Sequence, residues 1–316
     1  MGSANERRNI MSTMNERILL ATDGSEEAGA ATRAAVELCE KVGPELHLAY
    51  VGPHIAHVGD LGPVIIDPEV ADRAQERLDQ HSQETLDEQV RKVTEAGGTV
   101  AAAYLRTESP ANEIVSLAEE IGAGTIVMGS RGRGGLKRAL LGSVSEAVVH
   151  HAHCPVLVVR GKGRESLFPG RIVLGVDGSR ESDAAAETAA TLAGATSSEI
   201  YAVHGGPTGH LPYPEAYLAE NVESFSEQAN KEARKFLDDR VERLKSKTDA
   251  VVHAHLRPGD PAKEIVELAE EVDADLVILG SRGLGGVRRA LMGGVSDSVV
   301  RHAHCPVLVV RTEEVG

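Results

Sequence analysis

Tryptophan is absent from this 316-residue chain, aromatic residues make up 3% of it, and cysteine occurs three times. With so few rings, the cores must be built from Val, Ile, Leu and Ala, which the apolar content of 41% can supply. Three cysteines (Cys39, Cys154, Cys305) cannot frame a disulfide scaffold in a chain this long. No apolar run reaches the ~18 residues of a membrane span, and the N-terminus lacks a signal-peptide core. Positive charge is also short, since 33 Lys and Arg face 48 Asp and Glu, for a net charge of -15. That balance argues against nucleic acid as a partner, because phosphate backbones demand a basic footprint. The expectation is a reduced, cytoplasmic protein with a solvated acidic surface.

Against that background one stretch stands apart, running from Gly129 to Ser143 (GSRGRGGLKRALLGS). It holds four basic residues (Arg131, Arg133, Lys137, Arg138) and no acidic one. An apolar run, Thr125 to Met128, precedes it, and a helix start follows it. The stretch recurs 151 residues later, from Gly280 to Gly294 (GSRGLGGVRRALMGG). Two basic, glycine-rich loops in an acidic protein have the look of anion-binding sites.

The recurrence extends to the whole chain. Between Ser145–Arg160 and Ser296–Arg311, 13 of 16 positions are identical, which marks a duplication. Residues 1–15 are a patternless tail, 16–160 a first domain, 161–170 a linker and 171–316 a second domain. The first domain alternates strands (17–22, 46–51, 99–105, 125–128, 156–160) with helices, and the second repeats them at 171–176, 199–204, 250–257, 276–279 and 307–311. Five apolar strands separated by helices imply an α/β fold, a parallel sheet with helices on both faces and right-handed crossovers. Ligands of such sheets bind beyond the strands' carboxyl ends, where the strand order reverses. Polar punctuation follows the first strand (Asp23-Gly24-Ser25, Asp177-Gly178-Ser179) and the fourth (the glycine-rich loops). If those strands are neighbours, the switch point lies between them.

Glycines let backbone N–H groups approach a phosphate, and a helix start adds unpaired donors and partial positive charge. The Ser143 hydroxyl offers one donor more. No Gly-Lys-Ser/Thr of a Walker loop occurs, and the spacing is not the dinucleotide fingerprint. Asp23 and Asp177 beside a phosphate would be repulsive unless a divalent cation such as Mg bridges them or the carboxylate meets a ribose hydroxyl. An Asx-turn that caps the next helix explains the same aspartates equally well.

The spacing Gly129-x2-Gly132-x9-Gly142-Ser143, with Asp23 behind the first strand and the closing Cys154-Pro-Val-Leu-Val-Val159, resembles the ATP-binding universal stress proteins. The resemblance covers about 16–160 and again about 171–311. It implies two tandem Rossmann-like domains of strand order 3-2-1-4-5 that bind ATP or another adenine nucleotide in stress-response regulation. By the same resemblance Ala21, Thr22 and Asp23 flank ribose and phosphates, and the backbone of Val51 meets the adenine. Met128, Gly129, Arg131, Gly132, Gly142, Ser143, Val144 and Ser145 wrap the ribose and the phosphate chain. Val176, Asp177, Leu279, Gly280, Arg282, Gly283, Gly293, Val295 and Ser296 match them in the second half. There Gly294 stands where the family has Ser or Thr, and Gly205-Gly206-Pro207 replaces the Val51 region, so the second site is expected to be the weaker.

The family's homodimers imply that the two halves pair as an intramolecular pseudo-dimer through their last apolar strands; a further homodimer is left open. His151-Ala-His153-Cys154 and His302-Ala-His304-Cys305 have a metal-like composition but lack a second ligand pair. No Ser/His/Asp set or paired acid marks a catalytic centre. Binding is therefore favoured over the alternative, a slow ATP hydrolase or a phosphate- or adenylate-transferring enzyme, whose only candidate base would be Asp23 or Asp177.

Overall fold

In a computed structural model the described residues are 16–53, 68–132, 141–160, 166, 168, 170–206, 222–283 and 292–312. The chain divides into two compact units between Gly163 and Arg164. The first runs β1 (Arg17–Thr22), α1 (Glu26–Val42), β2 (Glu45–Val51), α2 (Pro68–Glu95), β3 (Val100–Arg106), α3 (Pro110–Glu120), β4 (Thr125–Gly129), α4 (Ser143–His151), β5 (Val156–Val159). The second runs β6 (Arg171–Gly175), α5 (Arg180–Thr196), β7 (Glu199–Gly206), α6 (Val222–Lys245), β8 (Val252–Pro258), α7 (Pro261–Glu271), β9 (Leu276–Gly280), α8 (Gly294–His302), β10 (Val307–Val310).

All pairings within each unit are parallel, in the order β3-β2-β1-β4-β5 and, equivalently, β8-β7-β6-β9-β10. β1 thus pairs with β2 on one side and β4 on the other, Ala21 lying opposite both Ala49 and Met128. The strand order reverses there, and the β1 and β4 loops leave the same edge of the sheet together.

The central strands are covered on both faces, so Leu19 and Leu20 are both fully buried, as are Val173 and Leu174 of β6. α1 is packed through alanine, with Ala28, Ala30, Ala31, Ala34 and Ala35 all buried, and small side chains let the helix come close to the sheet. The Ser25 hydroxyl caps it, accepting from the Ala28 N–H at 3.2 Å. The long α2 is a different object. Its described buried apolar residues are Leu86 and Val93, and its outer face is laced with i,i+4 pairs such as Lys92–Glu88 at 2.7 Å. The charge density of this segment is that of a solvated face.

Three details differ from the sequence reading. β6 ends at Gly175, although the Val176 N–H still donates to the Val203 carbonyl at 2.8 Å. β8 starts at Val252, because the Ala250 N–H turns back to the Thr248 hydroxyl at 3.2 Å. Within the stretch read as a linker, Phe168 is buried and the Gly170 N–H donates to Ser198 Oγ at 3.0 Å. That end of the stretch is anchored by its own hydrogen bonds.

Cys39, in α1, is part-buried, and burial pushes its thiol up to about 11. Only the thiolate reacts, so at pH 7.5 Cys39 should alkylate about a hundredfold more slowly than a free cysteine. Peptide mapping after timed iodoacetamide treatment measures this, and a rate equal to that of free cysteine would show that the helix opens readily.

Candidate functional site

The first loop turns on Asp23. Its Oδ1 accepts the Ser25 N–H at 3.0 Å, which is the Asx-turn expected as one of its roles. Asp177 does the same with the Ser179 N–H at 2.9 Å and also accepts the Ser179 hydroxyl at 2.7 Å. The other carboxylate oxygen of Asp23 lies over the Cα of Gly132, so close that a β-carbon there would collide with it. Asp177 stands over Gly283 in the same way. The β1 loop and the β4 loop therefore meet across the switch point, in both units, through an aspartate seated on a glycine.

The glycine-rich loop leaves and returns at one point. The Ser130 N–H donates to Val159 O and the Gly142 N–H to Ser130 O, each at 2.8 Å; Ser281–Val310 and Gly293–Ser281 repeat this at 2.8 and 2.7 Å. The span between, residues 133–140 and 284–291, lies outside the described residues, and with it Arg133, Lys137 and Arg138. Ser145 and Ser296 are buried, and their hydroxyls donate to the Gly129 and Gly280 carbonyls at 2.9 and 2.7 Å. These two serines brace the helix start against the strand end, so their hydroxyl protons are already committed within the protein. Ser143 is exposed and Val144 half-buried in the first turn of α4. The N-cap of that helix is Gly142 and that of α8 is Gly293, and neither residue has a side chain to cap the helix-start N–H groups.

Gly129 and Gly280 solve a packing problem. A β-carbon on Gly129 would lie 3.0 Å from the Glu27 carbonyl carbon, and one on Gly280 2.7 Å from that of Glu181. The ends of β4 and β9 are thus in backbone contact with the first turns of α1 and α5.

That contact carries a feature the motif reading missed. Glu27 Oε2 accepts the Ser130 hydroxyl at 2.9 Å, and Oε1 pairs with Arg131 Nη2 at 2.5 Å. In the second unit Glu181 pairs with Arg282 at 3.1 Å. Both glutamate side chains are largely buried, at 16% and 13% exposure, which makes these pairs stronger than ordinary surface bridges. The basic loop is therefore partly neutralised where it leaves the strand. The signal was present in the sequence, because Glu27 and Glu181 are both the second residue after the loop's serine, whereas their neighbours Glu26 and Arg180 differ.

The remaining predicted residues divide by burial. Ala21, Thr22, Met128, Val176 and Leu279 are buried and form the floor beneath the loops. Asp23, Val51, Arg131 and Gly142 are half-buried, as are Asp177, Arg282, Gly283 and Gly293, while Gly132, Gly294 and Val295 are exposed. Beside the floor the units diverge. Thr22 Oγ1 donates to Gln89 Oε1 at 3.2 Å in the first. In the second, Phe236 and Arg240 of α6 pack under Gly178, and His204 lies on Phe236 with its Nδ1 2.7 Å from the Val176 carbonyl. A β-carbon on Gly205 would meet Pro261.

The histidine clusters engage their own surroundings. His151 Nδ1 is 2.7 Å from the Ala147 carbonyl, His302 Nδ1 2.7 Å from that of Ser298, and His153 Nε2 3.0 Å from Glu119. Among the described residues no group of three or more His, Cys, Asp or Glu is placed to hold a metal ion. No helix among them is long and apolar enough to cross a membrane.

The universal stress protein family model matches residues 14–160 and again 169–311. A universal stress protein of Mycolicibacterium smegmatis is 29% identical over 318 residues, covering 96% of this chain and 99% of the relative. One from Mycobacterium tuberculosis is 35% identical over 233 residues, 71% of each chain. Among solved structures, a universal stress protein from Archaeoglobus fulgidus is similar at a TM-score of 0.65 and 27% identity, over 96% of this chain and 98% of that one. Because the family match runs through the chain twice, once for each parallel-sheet unit, the chain belongs to the universal stress protein family.

Proposed function

We propose that each unit binds an adenine nucleotide, ATP foremost, in the crevice between the Asp23 and Gly129 loops or their Asp177 and Gly280 counterparts. The protein then acts as a nucleotide-dependent regulator in the cytoplasm and not as an efficient enzyme. The observation that carries this reading is the seating of Asp23 on Gly132, and of Asp177 on Gly283, at the switch point. Polyphosphate would lie at the start of α4, whose N-cap Gly142 offers its N–H groups no side-chain acceptor, with the ribose toward Asp23 and the adenine toward the Val51 backbone.

The aspartates fit a magnesium ion bound with the nucleotide. A carboxylate offers about four acceptor positions, so each aspartate can take a cation beside the loop bonds it accepts, and the ion would offset phosphate charge. Asp23 and Asp177 would hold it.

The test is calorimetric titration of nucleotide-free protein with ATP, with and without Mg, beside mass spectrometry of whatever copurifies. Two unequal ATP sites are expected. In the Asp23→Asn variant the first should weaken by about tenfold, the size of losing one charge-assisted contact. Absence of binding by ATP, ADP and AMP at millimolar concentration would sink the reading. Multiple turnovers of ATP that Asp23→Asn abolishes would replace it with the hydrolase.

A further inference from the structure

The loop that should attract phosphate begins with a charge that is already satisfied. Arg131 is the described cation nearest the loop base, and Glu27 holds it at 2.5 Å while also accepting the Ser130 hydroxyl. Glu27 cannot swing away freely, because its backbone is in contact with Gly129 and its side chain is largely buried. Arg131 is more than twice as exposed, at 37% against 16%, and lies toward the crevice mouth beside exposed Gly132. The second unit has the matching ion pair, with Arg282 at 22% and Glu181 at 13% exposure. In each pair the glutamate is thus the more buried partner and the arginine the more exposed one.

We propose that Glu27 and Glu181 are specificity-determining residues that set how much phosphate charge each site accepts. This rests on the nucleotide reading above. Each glutamate holds its arginine as a latch for which phosphate oxygens must compete. When a polyphosphate enters, Arg131 transfers its guanidinium hydrogen bonds from the Glu27 carboxylate to the phosphate, and Glu27 keeps the Ser130 bond. A site built this way penalises free anions and favours ligands whose charge is offset or whose neutral part contributes binding.

The experiment uses the full chain carrying both Glu27→Gln and Glu181→Gln. Glutamine keeps the shape and can still accept from Ser130, but it removes the charge that competes for Arg131. Titrations with ATP, adenosine and tripolyphosphate are compared with wild type. ATP and tripolyphosphate should bind the variant about three- to tenfold tighter, the scale of removing one like charge several ångströms away in a partly wet site, with adenosine changed less than about twofold. Unchanged or weaker tripolyphosphate binding overturns the latch, as does an equal gain for adenosine. If wild type binds tripolyphosphate but no adenine nucleotide, the nucleotide reading fails while the latch is still read from the tripolyphosphate arm. Should the double variant fold poorly, NMR of the arginine side-chain N–H groups in wild type decides. The Arg131 signal must move on adding tripolyphosphate and stay on adding adenosine; a signal that ignores tripolyphosphate overturns the proposal.

Discussion

Gly280→Ala should lower the stability of the second unit by about 2–3 kcal/mol, the cost of forcing a methyl into a fully packed contact. The new β-carbon would meet the Glu181 carbonyl carbon and β-carbon at 2.7 Å and the Ser182 nitrogen at 2.8 Å. Two of these three atoms are backbone, in the first turn of a helix whose N-cap Ser179 is itself bonded to Ser182 N and Arg282 O, so none can step aside cheaply. For a unit of this size that loss corresponds to melting about 5–10 °C lower, visible by calorimetry as a shift of one transition. Gly129→Ala should cost less, about 1 kcal/mol, because its nearest atoms start at 3.0 Å and need to yield only a few tenths of an ångström. A Gly280→Ala protein that melts like wild type would mean that β9 and α5 are less tightly apposed than described.

Gly132→Ala makes the informative contrast. Among the described residues the atoms nearest its β-carbon are those at the end of the Asp23 side chain, which can rotate, and Gly132 is exposed. Stability should change by no more than about 0.5 kcal/mol, as for most surface substitutions. The carboxylate would nevertheless leave its seat, so ATP binding in the first unit should weaken with the fold intact. Two glycines three residues apart in one motif thus have separable jobs, one in packing and one in the site.

The fold was legible because two independent signals agreed. The apolar strands 17–22, 125–128 and their copies read correctly to within a residue or two, since parallel central strands are apolar throughout and end in turn chemistry. Where boundaries slipped, at Val176 and at Ala250, the cause is a hydrogen bond that sequence patterning does not register. The candidate site was legible as a spacing, Gly129-x2-Gly132-x9-Gly142, but not as a division of labour. Ser145 and Gly142 belong to one motif, yet the first is buried and braces α4 from within and only the second is part-exposed. Glu27 was invisible to motif reading because glutamate in the first turn of a helix is common for reasons of the helix dipole alone. Its recurrence as Glu181 and its pairing with both Ser130 and Arg131 are what distinguish it. The row Ser82, Thr85 and Gln89 on α2 escaped for the opposite reason. In a helix so rich in charge nothing signalled that these three are buried, nor that Gln89 reaches Thr22 on the floor of the crevice.

Gly294→Ser should raise the ATP affinity of the second site by about tenfold or more, the value of one hydroxyl donated to a charged phosphate at about 1.5–3 kcal/mol. The substitution recreates the residue at the equivalent position, Ser143, and the space for it exists. Among the described residues a β-carbon on Gly294 meets nothing within 4 Å, and the residue is exposed at the first position of α8, immediately after the N-cap Gly293. Serine is at least as good a helix residue there as glycine, so no loss of stability should obscure the result. The rest of the second loop is already in place, since Ser296 braces Gly280, Gly293 closes on Ser281 and Arg282 is held by Glu181, each as in the first unit. Calorimetric titration should resolve two unequal sites in wild type that converge in Gly294→Ser. If the wild-type sites are already equal, the backbone N–H groups at the helix start supply the binding unaided. If they are unequal and stay so, the asymmetry lies instead in Phe236, Arg240 and His204 beneath Gly178, where the first unit has Thr22 and Gln89.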